Sequence, residues 1–138
     1  MKKNDIKILL VDDEADILEI VGYNLSSEGY QVTTAKNGVE AIEKAKKYKP
    51  QLIILDVMMP EMDGIEACEK LRGIPDLSNT IITFLTARGE DYSQVAGFDA
   101  GADDYITKPI KPKVLVSKVK ALLRRLKESD NPLDTIIK

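Results

Sequence analysis

Histidine is missing altogether from this 138-residue chain, and tryptophan with it. That removes His-based catalytic triads, most zinc sites, and any phosphohistidine formed on the chain itself. A phosphoryl group that arrives through histidine must come from another protein. Cys68 is the one cysteine, so an internal disulfide is excluded, which fits a reducing cytoplasm. No apolar run approaches the roughly 20 residues of a membrane helix. Met1-Lys2-Lys3-Asn4-Asp5 leads into a strand-like segment, not a signal-peptide core. A basic excess is also lacking: 20 Lys and Arg stand against 23 Asp and Glu, which leaves no electrostatic footprint for nucleic acid. Glycine is scarce where a dinucleotide fold needs it. The first strand–helix turn reads Val11-Asp12-Asp13-Glu14, and no Gly-x-x-x-x-Gly-Lys-Ser/Thr run occurs, so both common phosphate-cradling loops are excluded.

What is present is the composition of one globular domain, 43% hydrophobic and 31% charged, without repeats or low-complexity segments. Strand-like and helix-like segments alternate. Apolar runs at 6–11, 30–34, 52–55, 81–85 and 105–107 read as strands. Between and after them, 14–27, about 38–48, 64–71, 90–100 and 111–127 read as helices, with Asn37-Gly38 and Asp63-Gly64 opening two of them. Five strands alternating with five helices imply an α/β fold, a doubly wound parallel sheet with helices on both faces. Residues 1–128 make one domain. Ser129-Asp130-Asn131-Pro132 breaks the last helix, and 129–138 reads as the start of a linker to a further domain. Cys68 and the four methionines read as packing, with no redox role.

Three acidic positions carry the chemistry. Asp12 and Asp13 end the first strand and Asp56 ends the third. Acids favour helix N-termini, so one of Asp12, Asp13 and Glu14 is expected to cap the first helix. Capping does not account for Asp56 in the equivalent place two strands later. In the flavodoxin-like order 2-1-3-4-5 the first and third strands are neighbours, at the switch point where ligands bind. The three carboxylates would meet there, and their repulsion calls for a hard divalent cation such as magnesium. Thr86 and Lys108 end the fourth and fifth strands on the same rim. A metal, a nucleophilic carboxylate, a hydroxyl and a cation make a set for phosphoryl transfer.

At these residues the chain resembles the receiver domain of two-component response regulators. The matching pieces are ILLVDDEADI, LIILDVMMPEMDGIEACEKLR, FLTARGE and GADDYITKPI, spread over nearly the whole chain. The resemblance implies that Asp56 is the phosphoacceptor, taking phosphate from a partner sensor histidine kinase. It implies that Asp12, Asp13, Asp56 and the carbonyl of Met58 bind Mg2+, with Asp12 acting through water. Lys108 and Thr86 would contact the phosphoryl oxygens. Tyr105, otherwise a half-buried packing tyrosine, would be a switch aromatic coupled to Thr86, and Pro109 would follow a cis peptide bond.

Ala121-Leu122-Leu123-Arg124-Arg125 resembles the OmpR/PhoB-like subgroup, whose members carry a C-terminal DNA-binding domain. Such proteins homodimerise on phosphorylation through the face made by the fourth helix, fifth strand and fifth helix. DNA would be reached only through that absent domain. Asp104 and Lys118 would keep one cross-subunit ion pair, whereas Gln94 and Val114 replace another. The alternative is a stand-alone receiver that binds a protein target. A phosphatase resembling the haloacid dehalogenase group would need an acid two residues after Asp56, and Met58 stands there. The expectation is therefore a switch with slow autodephosphorylation, not an enzyme in the usual sense.

Overall fold

Each apolar run becomes a strand and each amphipathic stretch a helix. The computed structural model describes residues 2–87 and 96–129, with side chains for all of these except Ala87 and residues 127–129. In chain order the elements are β1 (Lys7–Val11), α1 (Ala15–Ser27), β2 (Gln31–Ala35), α2 (Gly38–Tyr48), β3 (Leu52–Asp56), α3 (Gly64–Arg72), β4 (Ile81–Ala87), helical residues 96–99 (α4), β5 (Asp104–Lys108) and α5 (Pro112–Ser129). A helix expected from about Glu90 is described only from residue 96 onward. All strand pairs are parallel, in the order β2-β1-β3-β4-β5.

The central strand explains why the runs are so apolar. Every residue of β3 is buried, because helices cover both faces of a parallel sheet. Alternate residues divide between two cores. Leu9, Val11, Ile53, Leu55 and Phe84 pack with Ala41 and Ala45 of α2 and with Ala67, Cys68 and Leu71 of α3. Leu10, Leu52, Ile54, Leu85 and Ile106 pack with Val21 and Leu25 of α1 and with Leu115, Val119 and Leu122 of α5. Each valine, leucine, isoleucine or phenylalanine among them, fully buried, contributes about 1.5–3 kcal/mol. Burial pushes the Cys68 thiol up to about 11, as befits an inert packing cysteine. The methionines divide: Met59 is buried, while Met58 is 58% exposed and does not pack as expected.

Helix starts follow the Asn-Gly and Asp-Gly signals. The Asn37 side chain accepts from the Glu40 N–H at 2.8 Å, and Asp63 accepts from the Glu66 N–H at 2.9 Å. Each cap is worth about 1 kcal/mol. α1 departs from expectation. Glu14 occupies its N-cap position without a side-chain bond, and Asp12 Oδ1 accepts from the Glu14 N–H, outside the helix, at 2.9 Å. A carboxylate that does not serve a helix end is left facing the sheet rim. Among the described residues no helix is long and apolar enough to cross a membrane.

Candidate functional site

Register brings the acids together. Val11 pairs with Leu55, so Asp12 and Asp56 follow directly paired residues on adjacent strands. One carboxylate oxygen from each of Asp12, Asp13 and Asp56 lies within 4.8 Å of the others. Asp12 and Asp56 are buried, at 0% and 3% exposed, whereas Asp13 is exposed. β5 supplies the opposing charge. Lys108 Nζ lies 3.3 Å from Asp12 Oδ2 and 3.5 Å from both Asp56 Oδ1 and Glu14 Oε1.

One ammonium does not balance this set. Burial raises the Asp56 carboxyl, with the Asp12 charge adding to it, and Lys108 only partly offsets them; the result is about 7. Burial likewise raises Asp12, against the Glu14 N–H and Lys108. Burial pulls Lys108 down, but Asp56 and Asp12 overcome it and leave the amine above its usual value. Asp12 Oδ2 sits in the ion pair yet, among the described residues, makes no hydrogen bond. A buried oxygen without a hydrogen bond, inside a cluster of hard oxygen donors, fits a divalent cation such as Mg2+.

The loop after β3 holds the middle acid. Asp56 Oδ1 accepts from the Met58 N–H at 3.2 Å, and the Gly64 N–H donates to the Val57 carbonyl at 2.9 Å. Gly64 comes so close that an added Cβ would lie 2.2 Å from the Asp56 carbonyl oxygen. Only glycine permits that approach.

The remaining expected residues fall as follows. Thr86 is buried, one residue beyond Leu85, the ladder partner of Asp56, and pairs with Thr107. Tyr105 is half-buried, edge-on to Phe98 at 5.9 Å, with Lys118 Nζ 5.3 Å from its ring centre. The Lys108–Pro109 peptide bond is cis. Lys118 Nζ donates to the Tyr105 carbonyl at 2.7 Å and lies 3.7 Å from Asp104 of the same chain, so the pair expected across subunits is made internally here. Val114 is exposed, and Gln94 lies outside the described residues. Two participants were not singled out by sequence. Glu14, one of three candidate caps for α1, stands at the N-cap position without a side-chain cap bond and pairs with Lys108; Gly64 belongs to the Asp63-Gly64 step that leads into α3. The Asp-Gly step after Pro60 was the available signal for the second.

Known proteins share this arrangement. Residues 8–120 match the response regulator receiver domain. The alkaline phosphatase synthesis transcriptional regulatory protein PhoP of Bacillus subtilis is 50% identical over 119 residues, covering 86% of this chain and 49% of the relative. The transcriptional regulatory protein ResD of the same organism is 48% identical over 126 residues, covering 91% and 51%. This chain thus spans about half the length of the curated relatives it matches. Among solved structures, the chemotaxis protein CheY4 of Vibrio cholerae superposes with TM-score 0.82 at 34% identity, covering 85% of this chain and 98% of its own. A two-component response regulator from Clostridium difficile gives 0.82 at 34%, covering 88% and 98%. The order β2-β1-β3-β4-β5, the acids at its switch point and these relatives agree: the chain belongs to the response regulator receiver domain family of two-component systems, close to the OmpR/PhoB-type regulators.

Proposed function

We propose that Asp56 accepts a phosphoryl group from a phosphohistidine of a partner sensor kinase, and that the acyl phosphate alters the face made by α4, β5 and α5. The observation that carries this reading is the buried Asp56 carboxylate held within 3.5 Å of Lys108 beside two further acids. An Asp56 carboxylate oxygen attacks phosphorus, the phosphorus–nitrogen bond breaks, and the imidazole, already protonated on its other nitrogen, leaves as the neutral ring. Asp12, Asp13, Asp56 and the Met58 carbonyl would hold Mg2+, with Asp12 reaching it through water. When bound, the cation neutralises charge on the transferring group. Lys108 moves its positive charge from the carboxylates to a phosphoryl oxygen. Thr86 donates its hydroxyl to another, and Tyr105 turns with it. Both come from β4 and β5, so the change reaches that flank of the sheet. Water reaching the acyl phosphate returns the protein slowly to its resting state.

The curated relatives are transcriptional regulators about twice as long. Residues 1–128 act here as the regulatory part, 129–138 begin a linker to a DNA-binding part, and the whole works in the cytoplasm. Phosphorylated copies pair through the α4-β5-α5 face. Exposed Val114 contributes apolar contact, and Lys118 and Asp104 exchange their internal pair for one between subunits.

Intact mass after incubation with Mg2+ and acetyl phosphate tests the chemistry. One phosphoryl adduct is expected in the wild type, lost in Asp56→Ala and lost without the cation. No adduct under any condition would overturn the reading. Gel filtration with and without a phosphoryl mimic tests the pairing, and a monomer at every concentration would sink it.

A further inference from the structure

At the opposite end of the sheet one side chain ties three segments together. Arg72, the last residue of α3, donates through Nε to the Gly101 carbonyl at 2.8 Å. Its Nη1 donates to the Thr80 carbonyl at 2.6 Å and to Leu77 at 3.5 Å, and Nη2 meets Asp103 Oδ2 at 2.8 Å. The same Asp103 oxygen accepts the Ile82 N–H at 2.9 Å, while the Asp103 N–H donates to the Ile82 carbonyl at 2.7 Å. The turn before β5 is pressed against the arginine stem. Gly101 has φ +109°, and an added Cβ would lie 2.7 Å from Arg72 Cγ. A planar guanidinium suits such a junction because its donors leave in fixed directions.

A structural staple would look similar, but what this one holds is specific. Among the described residues β5 is an edge strand, paired with β4 alone, and carries both Tyr105 and Lys108. Its far end is held by the ion pairs of Lys108 with Asp12 and Asp56, and its middle by Lys118 from α5. The near end is held by Arg72. We propose that Arg72 is a positioning residue for β5: it fixes the start of the strand, so that a change at Lys108 tilts β5 about that point and does not slide it along β4. This rests on the phosphoryl-switch reading for what happens at Lys108. The clamp itself is independent of it.

Hydrogen–deuterium exchange of residues 101–107, with and without acetyl phosphate and Mg2+, tests the idea in wild type and Arg72→Lys. The substitution keeps the charge and removes the fork. Without phosphate, exchange of 101–107 is expected to quicken about tenfold while β1 and β3 stay unchanged. Asp56 is expected to take phosphate normally, with the phosphate-dependent difference at 101–107 falling by at least about half. Asp103→Asn, which keeps an acceptor and loses the charge, gives the same pattern more weakly and substitutes if Arg72→Lys does not fold. Acceleration spread evenly over all strands, or an unaltered response to phosphate, overturns the proposal. If the wild type takes no phosphate, the switch reading fails, and the phosphate-free arm still decides the clamp.

Discussion

At the carboxyl ends of the strands, Asp12, Asp13 and Asp56 cluster beside one ammonium that pairs with Asp12 and Asp56, and among the described residues an Asp12 oxygen makes no hydrogen bond. At the amino ends, Arg72 and Asp103 meet at 2.8 Å, and both also bond to backbone, Arg72 to the Gly101 and Thr80 carbonyls and Asp103 to the Ile82 N–H. Both ends set charge against one sheet, but the carboxyl end buries its carboxylates while the amino end leaves Asp103 exposed, and only the amino end is matched. A matched pair adds cohesion and little chemistry. An unmatched cluster costs stability, and such sites are where a ligand or a covalent change has most to gain.

The comparison breaks most sharply at Gly64. Gly64→Ala forces a methyl against the Asp56 carbonyl. It is expected to cost about 3 kcal/mol or more in urea unfolding and to reduce phosphoryl uptake in parallel. A change below about 1 kcal/mol would mean that the loop relaxes freely and that the rim is less rigid than described.

A titration sharpens the comparison next. Asp56 is raised from 3.8 to about 7, so the folded protein holds this proton where the unfolded chain has lost it. The contribution to stability is present at low pH and is lost as pH rises through about 7. In chelator, unfolding free energy should fall by about 2–3 kcal/mol between pH 5 and pH 8. Asp56→Asn should flatten the slope, and Mg2+ should shrink it. A chelator-insensitive, flat profile would count against an unbalanced rim.

The smallest effect concerns the other buried orphan, the Thr83 hydroxyl. Thr83 shares its face of β4 with Ile81 and Leu85, in the core against α5. Nothing in the proposed chemistry uses it. Thr83→Val is expected to stabilise the protein by about 1 kcal/mol, with phosphoryl uptake unchanged. Destabilisation in thermal unfolding would show that this hydroxyl has a partner of its own.

Legibility followed the range of each interaction. The buried strands, the Asn37 and Asp63 caps and the rim acids could be read because each depends on its own segment or on strand order. Glu14 could not, since Lys108 reaches it from 94 residues away in sequence. The Arg72 junction joins residues 31 apart, and no periodicity announces it. Lys118 and Asp104 were legible as an ion pair, and within one chain they meet at 3.7 Å. That depends on how α5 lies along β5.

Lys108 also says something about speed. Its three carboxylate partners lie at 3.3 to 3.5 Å, so no single one owns the ammonium. Passing from one to another takes only a small displacement of the ammonium, with no backbone rearrangement. The resting contact is a shared tether, not a lock that must first be opened.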